Sequence, residues 1–335
     1  MPFDRVKGQT GAIAALERAL ISGNIHHAYR FEGPNGVGKE TAAFALAQSL
    51  VCTTKPPEGR AHHACGTCSA CVRAVTFASE PPEVSLHPDV VLLERGLYPA
   101  EVLRRNRPEL QDISVDQIRR LVLERTSFAP HEGRGRIFIV RRAHELSISA
   151  ANALLKTLEE PPANTYFVLL TNRPSELLPT IHSRTLPIRF APLSESLLVA
   201  VLQERGVAPD IAQSAAELAG GSAALALELC DPEATKERRA FVEASVNAAR
   251  AGDLSAAVAL SEARARDKDV LYARLASLLA YLARVARTVL DREPARAGRA
   301  ARGYEVVSRA MLELESNGSP ALVLESMVAR LRGEI

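Results

Sequence analysis

Short apolar runs alternate with longer stretches of helical periodicity over roughly the first 190 residues, and helical periodicity takes over afterwards. Arg136-Ile-Phe-Ile-Val140 is β-branched and apolar throughout, with no polar alternation, which predicts a central parallel strand covered on both faces. Tyr166 to Thr171 reads the same way, and His27 to Phe31 and Ile188 to Phe190 are shorter candidates. A turn at Gly133 and Gly135 precedes the 136–140 run. Between the strands, Thr41 to Leu50 is a strong helix former. Ser147 caps a second helix whose Ile148, Ala151, Leu154, Leu155 and Leu158 recur at helical spacing and predict one buried face. Pro161 and Pro162 end it. Pro81, Pro82 and Pro88 predict an irregular connection before the next strand.

Ala191-Pro-Leu-Ser194 opens a new unit with Ser194 as its cap. Helices are expected over 197–204 and 211–218, with a further one after Gly220-Gly221-Ser222. Asp231-Pro232 is a turn and a boundary. From Glu233 onward the chain reads as helix, broken near Gly252-Asp253, between Arg292 and Gly298, and at 318–320. Strands alternating with helices, followed by helices alone, predict an α/β domain over 1–190, a small helical unit over 191–232 and an all-α domain over 233–335.

Composition narrows the function classes. The chain has 335 residues, 47% apolar and 24% charged, ordinary for a globular protein of two or three domains. Trp is absent and aromatics make up 4%, so the cores must be aliphatic and rich in alanine. A net charge of +2 gives no case for broad electrostatic binding to nucleic acid. No apolar run reaches transmembrane length and no signal-peptide pattern opens the chain, so a cytoplasmic location without membrane contact is expected.

Two clusters carry chemistry. Gly33-Pro-Asn-Gly36-Val-Gly38-Lys39-Glu40-Thr41 fits the phosphate-binding pattern G-x-x-x-x-G-K-[ST] except at Glu40. Gly33, Gly36 and Gly38 let backbone N–H groups curl around an anion at a helix N-terminus, and Lys39 is placed to reach phosphates. A Ser or Thr hydroxyl in place of Glu40 would hold Mg²⁺ without adding charge, whereas a carboxylate repels a polyphosphate. Thr41 is rotated by about 100° and is no simple substitute. The 136–140 strand, which in P-loop NTPases ends in metal-binding and catalytic acids, is followed here by Arg141 and Arg142. Magnesium-assisted hydrolysis is therefore not expected, while ATP binding by the loop stays open. The plain alternative is a glycine-rich turn.

The second cluster is Cys52, then twelve residues, then Cys65-Gly-Thr-Cys68-Ser-Ala-Cys71. Overlapping C-x-x-C turns plus one distant Cys offer four thiolates for a structural zinc ion, with Gly66 permitting the tight turn. A redox pair, chance clustering, or replacement of one sulfur by His62 or His63 are the other readings. Cys230 lies apart in a helical region and reads as a small core residue.

Asn152-Ala-Leu-Leu-Lys-Thr-Leu-Glu-Glu-Pro-Pro162, the pair Ser183-Arg184, the stretch Gly23 to Tyr29 and the four-Cys insert after the P-loop helix together resemble bacterial clamp-loader subunits of the AAA+ class. The resemblance covers about residues 1–230, and Asn317 to Glu325 is similar to the last helix of clamp-loader collar domains. It implies an AAA+ P-loop domain, a helical lid and a helical collar. It also implies that Arg184 enters the ATP site of a neighbouring subunit as an arginine finger, with Thr185 where the family has Cys. Taken alone, Arg184 reads equally as a solvated or paired arginine. Thr171 and Asn172 match the family's sensor region, and Ala223 and Ala224 stand where active members carry an arginine. With Glu40, Arg141 and Arg142, these departures resemble ATPase-deficient ring members rather than the hydrolysing tau/gamma subunits. The implied partners are tau/gamma and delta subunits and, through the complex, the sliding clamp and primed DNA. Three other functions remain at this point: an ATP-hydrolysing clamp-loader subunit, a P-loop small-molecule kinase, and a zinc-dependent nucleic-acid binder.

Overall fold

The computed structural model describes residues 2–106, 112–132, 134–251, 254–264, 268–315 and 318–334. The expectations at Gly133, Gly252-Asp253 and Asn317 lie outside the described residues. Two compact units emerge, one made of Met1–Leu197 with Gly221–Ala224 and the other of Leu198–Gly220 with Leu225–Ile335.

In the first unit α1 (Thr10–Ser22) precedes β1 (Ala28–Glu32), and the glycine loop leads into α2 (Lys39–Val51). Then come α3 (Ser69–Ala74), β2 (Val90–Leu93), α4 (Val115–Ile118), a π-helical turn over Arg119–Leu123 and α5 (Glu124–Thr126). β3 (Arg136–Val140), α6 (Ile148–Glu159), β4 (Thr165–Thr171), α7 (Pro179–His182) and β5 (Leu186–Arg189) complete it. The five strands form one parallel sheet in the order β2-β3-β4-β1-β5.

β2 and the runs 137–140 of β3 and 167–170 of β4 are apolar without interruption because both faces are covered. Ile137 and Ile139 of β3, with Val168 and Leu170 of β4, join Leu16, Leu20, Leu46 and Leu50 in one core. The intervening Phe138, Val140, Phe167 and Leu169 point the other way and pack with Ile118, Leu154 and Leu158. A period of two thus serves two cores from one strand. β5 lies at the sheet's edge, where Pro187 does not interrupt a central ladder.

Two expectations are corrected. Ile148 is 71% exposed, so the buried face of α6 is Ala151, Leu154 and Leu158. Ile148 is the first helical residue after the Ser147 cap, whose Oγ accepts from the Ala150 N–H at 3.2 Å, and the first turn buries Ala150 and Ala151 in its place. The break expected over 292–298 is shorter: one helix ends at Val289 and the next begins at Pro294, leaving Gly298 helical. Proline at the first helical position costs no hydrogen bond.

A buried ion pair fastens the start of β3. Asp89, just ahead of β2, accepts from the backbone N–H groups of His131 at 2.7 Å and Glu132 at 2.8 Å, and from Arg136 Nε at 3.3 Å. Arg136 also donates to the carbonyls of Phe128 and Ala129. Both side chains are almost fully buried. Asp89→Ala leaves a buried guanidinium without its carboxylate and two N–H groups without their acceptor, and is expected to cost about 3–5 kcal/mol. Urea unfolding checks this, and an unchanged midpoint contradicts it.

The described residues of the second unit form helices and their connections: α8 (Glu195–Gln203), which begins in the first unit, α9 (Pro209–Leu218), α10 (Ala223–Cys230), whose first two residues also belong to the first unit, α11 (Pro232–Ala251), α12 (Leu254–Arg264), α13 (Lys268–Val289), α14 (Pro294–Glu315) and α15 (Pro320–Leu331). Ser194 caps α8 through the Leu197 N–H at 3.3 Å. Leu271, Leu275, Leu278 and Leu282 of α13 form a stripe that packs with Val307 and Leu314 of α14 and with Leu324, Met327 and Leu331 of α15.

Candidate functional site

β1 runs directly into the glycine loop, whose shape requires its glycines. Gly33 has φ +145°, and a Cβ there would collide with the Phe190 carbonyl. Gly36 has φ +71°, and a Cβ there would strike Ser222 and Ala224. The Ala223 N–H donates to Gly36 O at 2.9 Å, so the Gly221–Ala224 segment closes one side of the loop. Gly38 sits left-handed at the head of α2. Lys39 is 8% exposed and folds into the loop, donating from Nζ to Gly33 O at 2.6 Å and to Pro34 O. Burial lowers its pKa to about 8.

Glu40, in the first turn of α2, and Arg141, just past the end of β3, form an ion pair. Arg141, one residue past β3, donates from Nε to Glu40 Oε1 at 3.1 Å and bonds the same oxygen through Nη2. Its Nη1 donates to Glu94 Oε2 at 2.8 Å. Burial pulls the Arg141 pKa down, but the carboxylates of Glu40 and Glu94 outweigh it and hold the guanidinium above its ordinary value. The position that should hold magnesium and the strand end that should supply acids are thus joined by an internal cation. Arg142 follows in a left-handed conformation, φ 47°, within 4.0 Å of Glu94. Glu94 has no motif around it; the only sequence signal is its place directly after the apolar run 90–93. Beyond this network, His144 Nδ1 lies 3.1 Å from the hydroxyl of Thr171 at the end of β4, and that hydroxyl accepts from the Arg173 N–H.

The sulfur atoms of Cys52, Cys65, Cys68 and Cys71 all lie within 4.8 Å of one another, and neither His62 nor His63 belongs to the group. A tetrahedral site with Zn–S bonds of about 2.3 Å has edges of about 3.8 Å. Cys52 Sγ and Cys68 Sγ are 3.9 Å apart. Cys65 Sγ accepts from the Thr54 hydroxyl and the Cys68 N–H, and the Thr54 bond above all lowers its pKa to about 5. Burial pushes the Cys71 thiol up instead. The donor set fits a metal ion held by four sulfurs. Cys52 directly follows α2 and α3 carries Cys71, so the insert grows out of the P-loop helix. Gln48 Nε2 donates to Cys71 O at 2.8 Å, His62 N–H donates to Leu20 O at 3.0 Å, and Arg73 forms a two-pronged pair with Glu132. Cys230 stands apart and is half-buried, so it does not fill a core position as expected.

Arg184 follows α7 at the other end of the α/β unit's chain. Its Nε donates to Glu159 Oε1 at 2.8 Å, Nη2 bonds the same oxygen, and Nη1 donates to Thr180 O and Ser183 Oγ, each at 3.0 Å. The side chain is 30% exposed. Glu159, the last residue of α6, belongs to the 152–162 stretch that carries the family resemblance, but nothing in that stretch marks it as the partner of Arg184.

Sheet order, glycine loop and the helix it opens define an AAA+ P-loop domain. The profile of the family described as DNA polymerase III, delta subunit, matches residues 8–194, and the chain belongs to that family. The gamma/tau subunit of DNA polymerase III from Mycobacterium tuberculosis (strain H37Rv) is 37% identical over 212 residues, 62% of this chain and 32% of that protein. The tau subunit from Escherichia coli (strain K12) is 34% identical over 237 residues, 68% of this chain and 32% of that protein. The delta' subunit from Bacillus subtilis (strain 168) is 33% identical over 236 residues, 70% of this chain and 63% of that protein. The match therefore spans only about a third of the gamma/tau relatives' length. Among the described residues no helix is long and apolar enough to cross a membrane.

Proposed function

We propose that this chain is a delta-prime-type subunit of a bacterial clamp loader, a ring member that does not hydrolyse ATP itself. It presents Arg184 to the ATP site of a neighbouring tau/gamma subunit. With tau/gamma and delta it loads the sliding clamp onto primed DNA in the cytoplasm. The observation that carries this reading is the Glu40–Arg141–Glu94 bridge. A guanidinium neither ligates Mg²⁺ nor accepts a proton from water, and here it pairs with the two nearby carboxylates, Glu40 and Glu94. In trans, the planar fork of Arg184 suits the charge that develops on a transferring phosphoryl group. The four cysteines hold a structural Zn²⁺, whose coordination they fill, so the ion takes no part in catalysis. Residues 191–232 serve as lid and 233–335 as collar. Contact with DNA runs through the backbone, since no base-reading element is present in the sequence.

A second reading, an ATP-hydrolysing tau/gamma-type subunit, is favoured by one observation: the gamma/tau relatives reach 37% and 34% identity, against 33% for delta'. Phosphate release from ATP by the isolated chain separates the two. The expected rate is that of buffer alone, with or without Mg²⁺. Turnover that disappears in Lys39→Ala establishes the tau/gamma reading instead.

A further inference from the structure

Thr185 directly follows Arg184, yet it is buried, 6% exposed. Its hydroxyl donates to Ile181 O at 2.8 Å and accepts from Arg30 Nη1 at 2.6 Å. The same Arg30 nitrogen reaches His182 O at 3.4 Å. Arg30 lies on β1, is 5% exposed, and pairs through Nε with Glu32 Oε1 at 2.6 Å. A guanidinium rising from the sheet thus grips the C-terminal turn of α7 from the protein interior. Arg184 holds the same turn from outside, through Thr180 O.

α7 has four residues, too few to hold its own shape by helical bonds alone. Side chains tie its C-terminal carbonyls: Ile181 O, which also takes the Arg184 N–H at 3.2 Å, accepts from Thr185, and His182 O accepts from Arg30. A buried arginine is costly unless paired, and an apolar side chain on this strand would have filled the space without that cost. The geometry points to Arg30 as a positioning residue that acts through Thr185 to fix the turn carrying Arg184, and so the reach of that guanidinium into the neighbouring ATP site. This role rests on the trans function proposed for Arg184. A donor aimed at developing charge must be held closely, since a displacement of about 1 Å costs about a hundredfold in rate.

The test uses the complex reconstituted with tau/gamma, delta, sliding clamp and primed DNA. Single-turnover ATP hydrolysis and ATP affinity are measured separately at verified full assembly. Thr185→Val removes the hydroxyl and keeps the Arg30–Glu32 pair. It is expected to slow hydrolysis at the adjacent site by about 10–100-fold, with ATP affinity within about twofold. Thr185→Ser restores the rate to within about twofold, and Arg30→Met reproduces Thr185→Val. Adding Arg184→Ala to Thr185→Val gives no loss beyond that of Arg184→Ala alone, because the two act through one group. A purely structural role would lower the melting temperature and leave the rate per assembled complex unchanged. Wild-type rates for Thr185→Val and Arg30→Met, beside a slow Arg184→Ala, overturn the positioning role alone. A wild-type rate for Arg184→Ala removes the trans function and the role of Arg30 with it. If Arg30→Met does not assemble, the Thr185 pair of variants decides the matter.

Discussion

Arg184→Ala is expected to slow ATP hydrolysis at the neighbouring subunit's site by about a thousandfold, the lower end of what an arginine supplied in trans contributes. Only the site facing this chain is affected. In a single-turnover experiment on the full complex, one site's share of the bound ATP should move from the fast phase into a slow one. ATP binding should change little, because the interaction matters most once charge has developed on the γ-phosphate. Arg184→Lys should recover a small part of the rate, since a point charge lacks the two-pronged geometry. In the free chain the guanidinium is held by Glu159 and by the carbonyl of Thr180. On the proposed function, entry into a neighbour's site would exchange the Glu159 carboxylate for phosphate oxygens. An undiminished fast phase with Arg184→Ala, at complete assembly, would sink the proposed function.

The second large effect concerns the metal. Metal analysis of the purified chain is expected to find one zinc ion per molecule. Stripping it, or replacing Cys71 with Ser, should unfold the insert while the sheet persists. The insert's own buried cluster is Cys52, Ala64 and Cys71, and Ala70 and Ala74 of α3 add two small side chains to the sheet core, too little apolar surface to order some twenty residues. Zinc bound by four thiolates, with a binding free energy of order 10 kcal/mol, would supply the difference. Hydrogen exchange gives the readout. Amides of 53–74 should lose protection on chelation, as should the end of α2, which leads directly into Cys52. Amides of β3 and β4, buried between two cores remote from the sulfurs, should keep theirs. Full protection of 53–74 in metal-free protein would contradict the structural role.

Much of this is legible in residue types and local spacing. An uninterrupted run such as Ile137 to Val140 has no polar residue to expose, so it must be covered on both faces. Cys65, Cys68 and Cys71 are brought together by two turns of chain, which is why their spacing alone announces the cluster. Local pattern fails where its reach ends. The spacing of Ile148 matches the buried face of α6, yet at the first helical position it is exposed while Ala150 and Ala151 of the same turn are buried. α1 and the helical stretch from Val115 to Thr126 carry no motif and enter only with the structure.

Glu40, Arg141 and Arg184 show the same division most clearly. Each departure from, or match to, a pattern is readable from its own neighbours, because the loop, the strand end and the Ser-Arg pair are short segments. What each side chain does is decided by residues far along the chain: Glu40 by Arg141, 101 positions away, and Thr185 by Arg30, 155 positions away. By itself, the sequence determined a parallel α/β domain with a glycine loop, four clustered cysteines and a helical remainder. These depend on periodicity and on groups within a few residues of one another. Only the tertiary structure decided that the two charges in the loop and after β3 neutralise each other, and that a buried arginine braces the turn carrying Arg184. Ion pairs form between side chains that strand order and helix crossing bring together, and neither charge records its partner in its local sequence.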